Sequence, residues 1–208
     1  MTDVFGVAAM VMAASVVVCA SAGAAEPATL GIRVVDYTQR AAGALATAEH
    51  HVARVFGAVG ITVVWREVPP SAAAAPDQVT VLILDEAMTS AKTLKDRLAE
   101  TVLGTAVPPP TRRAWIFLGR IEDAAFQQSQ STGLVLGHVI VHEVAHMVAD
   151  MAHSEGGVMA AAFSPSLETF QGFTSEQGRQ LRAAVQTNGR SVVLDAQSRR
   201  RSFQLDGR

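Results

Sequence analysis

Apolar positions along the chain alternate between a period of two and a period near 3.6, and the switches outline the fold. Leu30 to Val35 is rich in β-branched residues and stops at Asp36, which predicts a strand. From Ala41 to Val59, residues Leu45, Ala48, Val52, Val55, Phe56 and Val59 fall at helical spacing, with Glu49, His50 and Arg54 elsewhere on the wheel. His50 and His51 read as surface or boundary residues of that helix. Gly60 suits a C-cap, and Ile61 to Trp65 predicts a second strand. Pro69 to Asp77 reads as a loop and Val79 to Leu84 as a third strand. Met88 to Val102 predicts a helix ended by Gly104. After Pro108-Pro109-Pro110, Ala114 to Leu118 predicts a fourth strand, either a candidate edge along which an extended peptide would pair or, equally, a central strand with no substrate role. The order βαβ, β, β, then helices predicts an α/β (α+β) domain, its small mixed sheet packed against a long N-terminal helix.

Thr132 to Asp150 is almost wholly apolar, which predicts a helix buried all round. Further on, Thr174 and Gln177 have capping-box spacing, and Leu181, Ala184 and Val185 give a C-terminal helix an apolar face that should dock on the body. Residues 188–208 are mostly polar, include Arg199-Arg200-Arg201, and read as a disordered tail.

Composition narrows the function. The 208 residues are 49% hydrophobic and 17% charged, which suits one globular domain and excludes disorder throughout. Seventeen Lys+Arg against nineteen Asp+Glu leave no basic excess for nucleic acid. Val4 to Ala25 carries no charged side chain and ends in Ala22-Gly23-Ala24, a small-residue cleavage signature. Residues 1–24 are therefore expected to be a signal peptide, and the protein to be secreted or periplasmic. The alternative is a membrane anchor formed by residues 4–25, since the n-region lacks Lys and Arg and about twenty apolar residues span a bilayer. No other stable membrane contact is expected. The single cysteine, Cys19, falls in this segment, so a mature chain has neither a disulfide nor a cysteine-based latency switch.

Into the apolar helix are set His138, His142, Glu143 and His146. Residues four apart share a helix face, so His142 and His146 aim at one point, and Glu143, about 100° round, reaches beside it. This is H-E-x-x-H on a helix, an arrangement that suits one Zn²⁺ per chain with a third protein ligand and a water. Glu143 would take the proton of the attacking water and deliver it to a leaving amine. The competing reading, histidines hydrogen-bonded in a core, buries two or three imidazoles in an apolar helix at about 1 to 3 kcal/mol for each group left unpaired. His138, one turn upstream, is about 12 Å from His146 by helical rise and reads as a buried residue near the site rather than a ligand.

Beyond the helix the chain runs Asp150-Met151-Ala152-His153-Ser154-Glu155-Gly156-Gly157-Val158-Met159. With Leu136-Gly137-His138 leading in, the His153-Ser154 pair and the Gly157-Val158-Met159 turn, this resembles the metzincin side of the zincin metalloproteases, and within it a group of secreted bacterial zincin-like proteins. More weakly the likeness runs from Ile32 to about Val185. The resemblance implies a metzincin-like fold over residues 27–187, with His153 as third metal ligand and Met159 in a turn beneath the metal. It also implies zinc metallopeptidase activity on a peptide or protein. Two departures stand out: Ala149 replaces the glycine that follows the second histidine, and His153 lies seven residues after His146 rather than six. Asp150, four after His146, is the alternative third ligand. His153 is favoured because a ligand off the helix axis completes a tetrahedron more easily than another on the same stripe. A non-catalytic zinc-binding protein and a hydrolase of a non-peptide amide remain the alternative functions.

Overall fold

The computed structural model of the chain describes residues 28–71, 78–107, 111–161 and 172–187. The predicted signal or anchor, Cys19, most of the Pro69–Asp77 loop, the triple proline and the 188–208 tail lie outside the described residues. Strand β1 (Ala28–Asp36) leads through helix α1 (Ala42–Gly57) to β2 (Ile61–Glu67), then β3 (Gln78–Leu84) and helix α2 (Glu86–Asp96). There follow β4 (Gly104–Val107), β5 (Arg113–Phe117), α3 (Leu118–Gln127) and α4 (Thr132–Ala149). A last helix, α5, covers residues 175–187. The predicted mixed α/β architecture is therefore observed, with β4 and α3 as additions.

The sheet order is β2-β1-β3-β5-β4, parallel except for antiparallel β4. Of the two readings of Ala114–Leu118, this selects the central strand. β5 pairs on both sides, with β3 and β4, so among the described residues β4 is the edge on this side of the sheet. Leu118 does not extend that strand but begins α3. Alternate residues Leu30, Ile32, Val34, Val79, Val81, Ile83, Ala114 and Ile116 are buried in one core with α1 and α4, as the two-residue period of a strand requires. Trp115 points the other way, under Lys92 of α2, whose Nζ lies 3.6 Å from the ring centroid. Asp36 closes the first turn: its carboxylate accepts from the Thr38 and Ala41 N–H groups and the Thr38 hydroxyl, steering β1 into α1.

α4 is apolar and long enough to cross a membrane by length and composition, but most of it is buried inside the protein. Its close approach to α1 depends on two glycines. A Cβ at Gly133 would lie 2.7 Å from the Ala44 carbonyl oxygen and 2.5 Å from Thr47 Cβ; one at Gly137 would lie 3.0 Å from Ala48 Cα and His51 Cβ. Helix propensity alone favours alanine over glycine by up to about 1 kcal/mol. Backbone contact reverses the sign, and Gly133→Ala is expected to destabilise the fold by about 1 to 3 kcal/mol. Urea denaturation measures it; a stabilised variant would mean that the helices are not packed this closely.

Candidate metal centre

His142 and His146 stand one turn apart on α4, with ring centroids 4.7 Å apart. The helix stops at Ala149 because Asp150 turns left-handed (φ 46°), its N–H still bonded to the His146 carbonyl. The chain then doubles back and brings in His153. The three Nε2 atoms lie 3.1 Å (His142–His146), 3.2 Å (His142–His153) and 3.2 Å (His146–His153) apart. Among the described residues these three form the cluster of candidate metal donors.

The hydrogen bonds around the triangle fix which ring nitrogens carry hydrogen. His142 Nδ1 lies 2.9 Å from the Val158 carbonyl oxygen, which can only accept, so Nδ1 carries the hydrogen and Nε2 of the neutral ring is a lone pair. His146 also hydrogen-bonds backbone, at Met151, while its Nε2 faces the triangle. Burial pushes the His142 pKa from 6.5 down to about 4, opposed by the Val158 bond and assisted by the other two rings; burial also lowers that of His146. Protonation cannot then relieve two lone pairs facing each other at 3.1 Å near neutral pH. A divalent cation does. Tetrahedral zinc with Zn–N bonds near 2.05 Å sets its nitrogens about 3.3 Å apart, close to the spacing here, and takes neutral imidazoles as ligands. The residues fit the ion.

Glu143 is 7% exposed, and burial raises its pKa from 4.5 to about 8. It borders, with the three histidines, a cavity of about 930 Å³ walled by α4, α3 and residues 100–106. Position 104, where β4 begins, has no space for a side chain: a Cβ there would meet Glu143 Oε1 at 3.1 Å and Val139 Cγ1 at 3.0 Å. Arg120, the cation on the cavity wall, is engaged: Nη1 donates to the Ala99 and Val102 carbonyls at 3.0 and 2.8 Å, and Nη2 to Thr93 Oγ1 at 2.8 Å. It thereby fixes the loop that delivers β4.

No protein-family model matches the chain, and no curated protein matches it. Solved structures of similar shape include archaemetzincin from Methanopyrus kandleri, 15% identical, with TM-score 0.48 over 76% of this chain and 97% of that one. A zinc-dependent peptidase from Methanocorpusculum labreanum is 13% identical, with TM-score 0.48 over 73% of this chain and 100% of that one. Metalloproteinase-II from Bacteroides fragilis is 13% identical, with TM-score 0.47 over 76% of this chain and 53% of that one.

The remaining candidates separate. Asp150 borders the cavity but lies outside the triad, because the helix ends one residue before it. Met159 is fully buried in the core, and its carbonyl accepts the Ser154 N–H. His138 is buried and borders the cavity. His51 corrects the surface reading: it is 4% exposed, inside the α1–α4 contact, its ring centroid 6.2 Å from that of His138, whereas His50 is exposed. Its position on the wheel, next to Ala48 and Val52, was the available signal.

Burial lowers both His51 and His138 from 6.5 to about 4. Between those values the unfolded chain binds more protons than the folded one, so stability rises with pH and is lost as pH falls through the window. The slope is about 1.4 kcal/mol per pH unit for each histidine kept neutral by the fold. His142 adds to this and Glu143, raised to about 8, opposes it by one group, so denaturation midpoints should still fall between pH 6.5 and pH 4; a flat profile would contradict the buried placement.

Proposed function

We propose that the protein is a zinc-dependent hydrolase of metzincin-like fold, most simply a metallopeptidase, with His142, His146 and His153 as ligands and Glu143 as general base. The convergence of three imidazole Nε2 atoms on the wall of a large cavity carries this reading. A zinc ion held there supplies Lewis acidity and a water acidified toward neutrality. The residues do the rest. His142 is held in its ligating tautomer by Val158, and the His146 ring is fixed through Met151. Burial alone keeps Glu143 protonated near neutral pH, and positive charge at the triad favours its ionised form. As a carboxylate it takes the proton of the attacking water and hands it to the leaving amine.

β4, an edge among the described residues whose Gly104, Thr105 and Ala106 border the cavity, offers main-chain groups to an extended peptide, one of the two roles the sequence left open for β5. We also propose that residues 1–24 direct export, so that the substrate is an extracytoplasmic peptide or protein. Purified protein incubated with a mixed peptide library should cleave it, stop with a chelator and recover with zinc. Turnover that persists after zinc removal would exclude the mechanism.

A further inference from the structure

His153, unlike His142 and His146, is not on a helix, so something else must fix its loop. Within that loop the Ser154 N–H donates to the Met159 carbonyl at 2.9 Å and the Ser154 hydroxyl to the Gly156 carbonyl at 2.8 Å. The tie to the rest of the protein comes from the start of α5. Gln177 closes a capping box with Thr174: its Oε1 accepts the Thr174 N–H at 2.9 Å, and its own N–H donates to Thr174 Oγ1 at 3.2 Å. With the amide oxygen committed to the cap, Nε2 is turned outward and donates to Ser154 Oγ at 3.4 Å. A second strut runs beside it, the Val158 N–H to the Gly172 carbonyl at 3.4 Å, and the Val158 carbonyl orients His142. α5 is a firm base: Leu181 and Val185 are buried, Arg182 donates to the Val59 carbonyl at 2.7 Å, and Phe173 packs on Phe56 with centroids 5.4 Å apart.

We propose that Gln177 is a positioning residue for His153: the capping amide of α5 holds the third ligand in register through Ser154. This rests on the zinc reading above. Gln177→Glu separates the two roles, since a carboxylate still accepts the Thr174 N–H but has no hydrogen for Ser154 Oγ, whose own hydrogen is directed at Gly156. Thr174→Ala is the converse control, removing one capping bond and leaving the Gln177 amide anchored on the backbone N–H. Zinc affinity by chelator competition is expected to fall about tenfold in Gln177→Glu and Gln177→Ala. The visible spectrum of the cobalt-substituted protein should shift in both. Thr174→Ala should match the wild type in both readouts, whatever it does to the melting temperature. Gln177 variants that bind like the wild type overturn the proposal, as does Thr174→Ala weakened to the same degree. A wild-type chain that takes up no stoichiometric zinc overturns the triad reading, and this proposal with it.

Discussion

His153→Ala is expected to drop zinc content from about one equivalent per chain to a residual trace, while Asp150→Ala keeps its zinc. The two residues are three apart in sequence, and their side chains have different prospects. Asp150 occupies the left-handed position that ends α4, and its carboxylate is not in the cluster with His142 and His146. His153 sits where the returning chain places its Nε2 3.2 Å from both other ligand atoms. Two imidazoles along one helix stripe make a weak site; the third, from off the axis, turns it into a closed set of three with one position left for water. Metal binding to such a set also stabilises the fold by mass action, so zinc should raise the melting temperature of the wild type and leave His153→Ala unmoved. Elemental analysis of the purified variants decides between the two. Full zinc in His153→Ala with loss in Asp150→Ala would move the third ligand to the aspartate.

What could be read from the sequence was whatever a long periodic segment imposes. The 18-residue α4 has an apolar run with three histidines and a glutamate set into it, and helical geometry alone places His142 beside His146. β1, α1, β2 and β3 were legible for the same reason, and the Thr174–Gln177 spacing predicted a cap that the coordinates contain. Short elements were not. β4 is four residues, Gly-Thr-Ala-Val, too few to show a period of two, and it is defined by its pairing with β5 and by the tight fit of Gly104 against Val139 and Glu143, both tertiary. Without β4 in view, the sequence left β5 open as an edge or a central strand. α3 has only Leu118, Ile121 and Ala125 to mark its inner face, a signal at helical spacing that a Gly119 near its start obscures. The wheel placed His51 beside Ala48 and Val52, but how closely α1 crosses α4 at Gly133 and Gly137, which completes its burial, is tertiary. The convergence of His153 was likewise tertiary, since the loop that delivers it is held by α5 and by its own turn.

Glu143→Gln is expected to abolish turnover, by roughly 10² to 10⁴-fold in kcat, while leaving zinc content and fold intact. Burial already raises this carboxyl to about 8 in the absence of metal, so at pH 7 the metal-free protein holds it largely neutral, and a glutamine of the same shape replaces a neutral acid. It should fit the same niche against Gly104 and Val139 with little change in denaturation midpoint. What the amide cannot do is accept a proton. The pairing of lost kcat with unchanged metal separates a general base from a residue that merely supports the histidines, since a supporting role would lower zinc affinity along with rate. It also separates an enzyme from a zinc-binding protein of the same architecture, in which the substitution would pass without consequence. Rates measured on a cleaved library peptide, with zinc quantified in the same sample, are the required pair. Turnover equal to wild type in the glutamine variant would remove Glu143 from the chemistry and return its burial to the list of facts about packing.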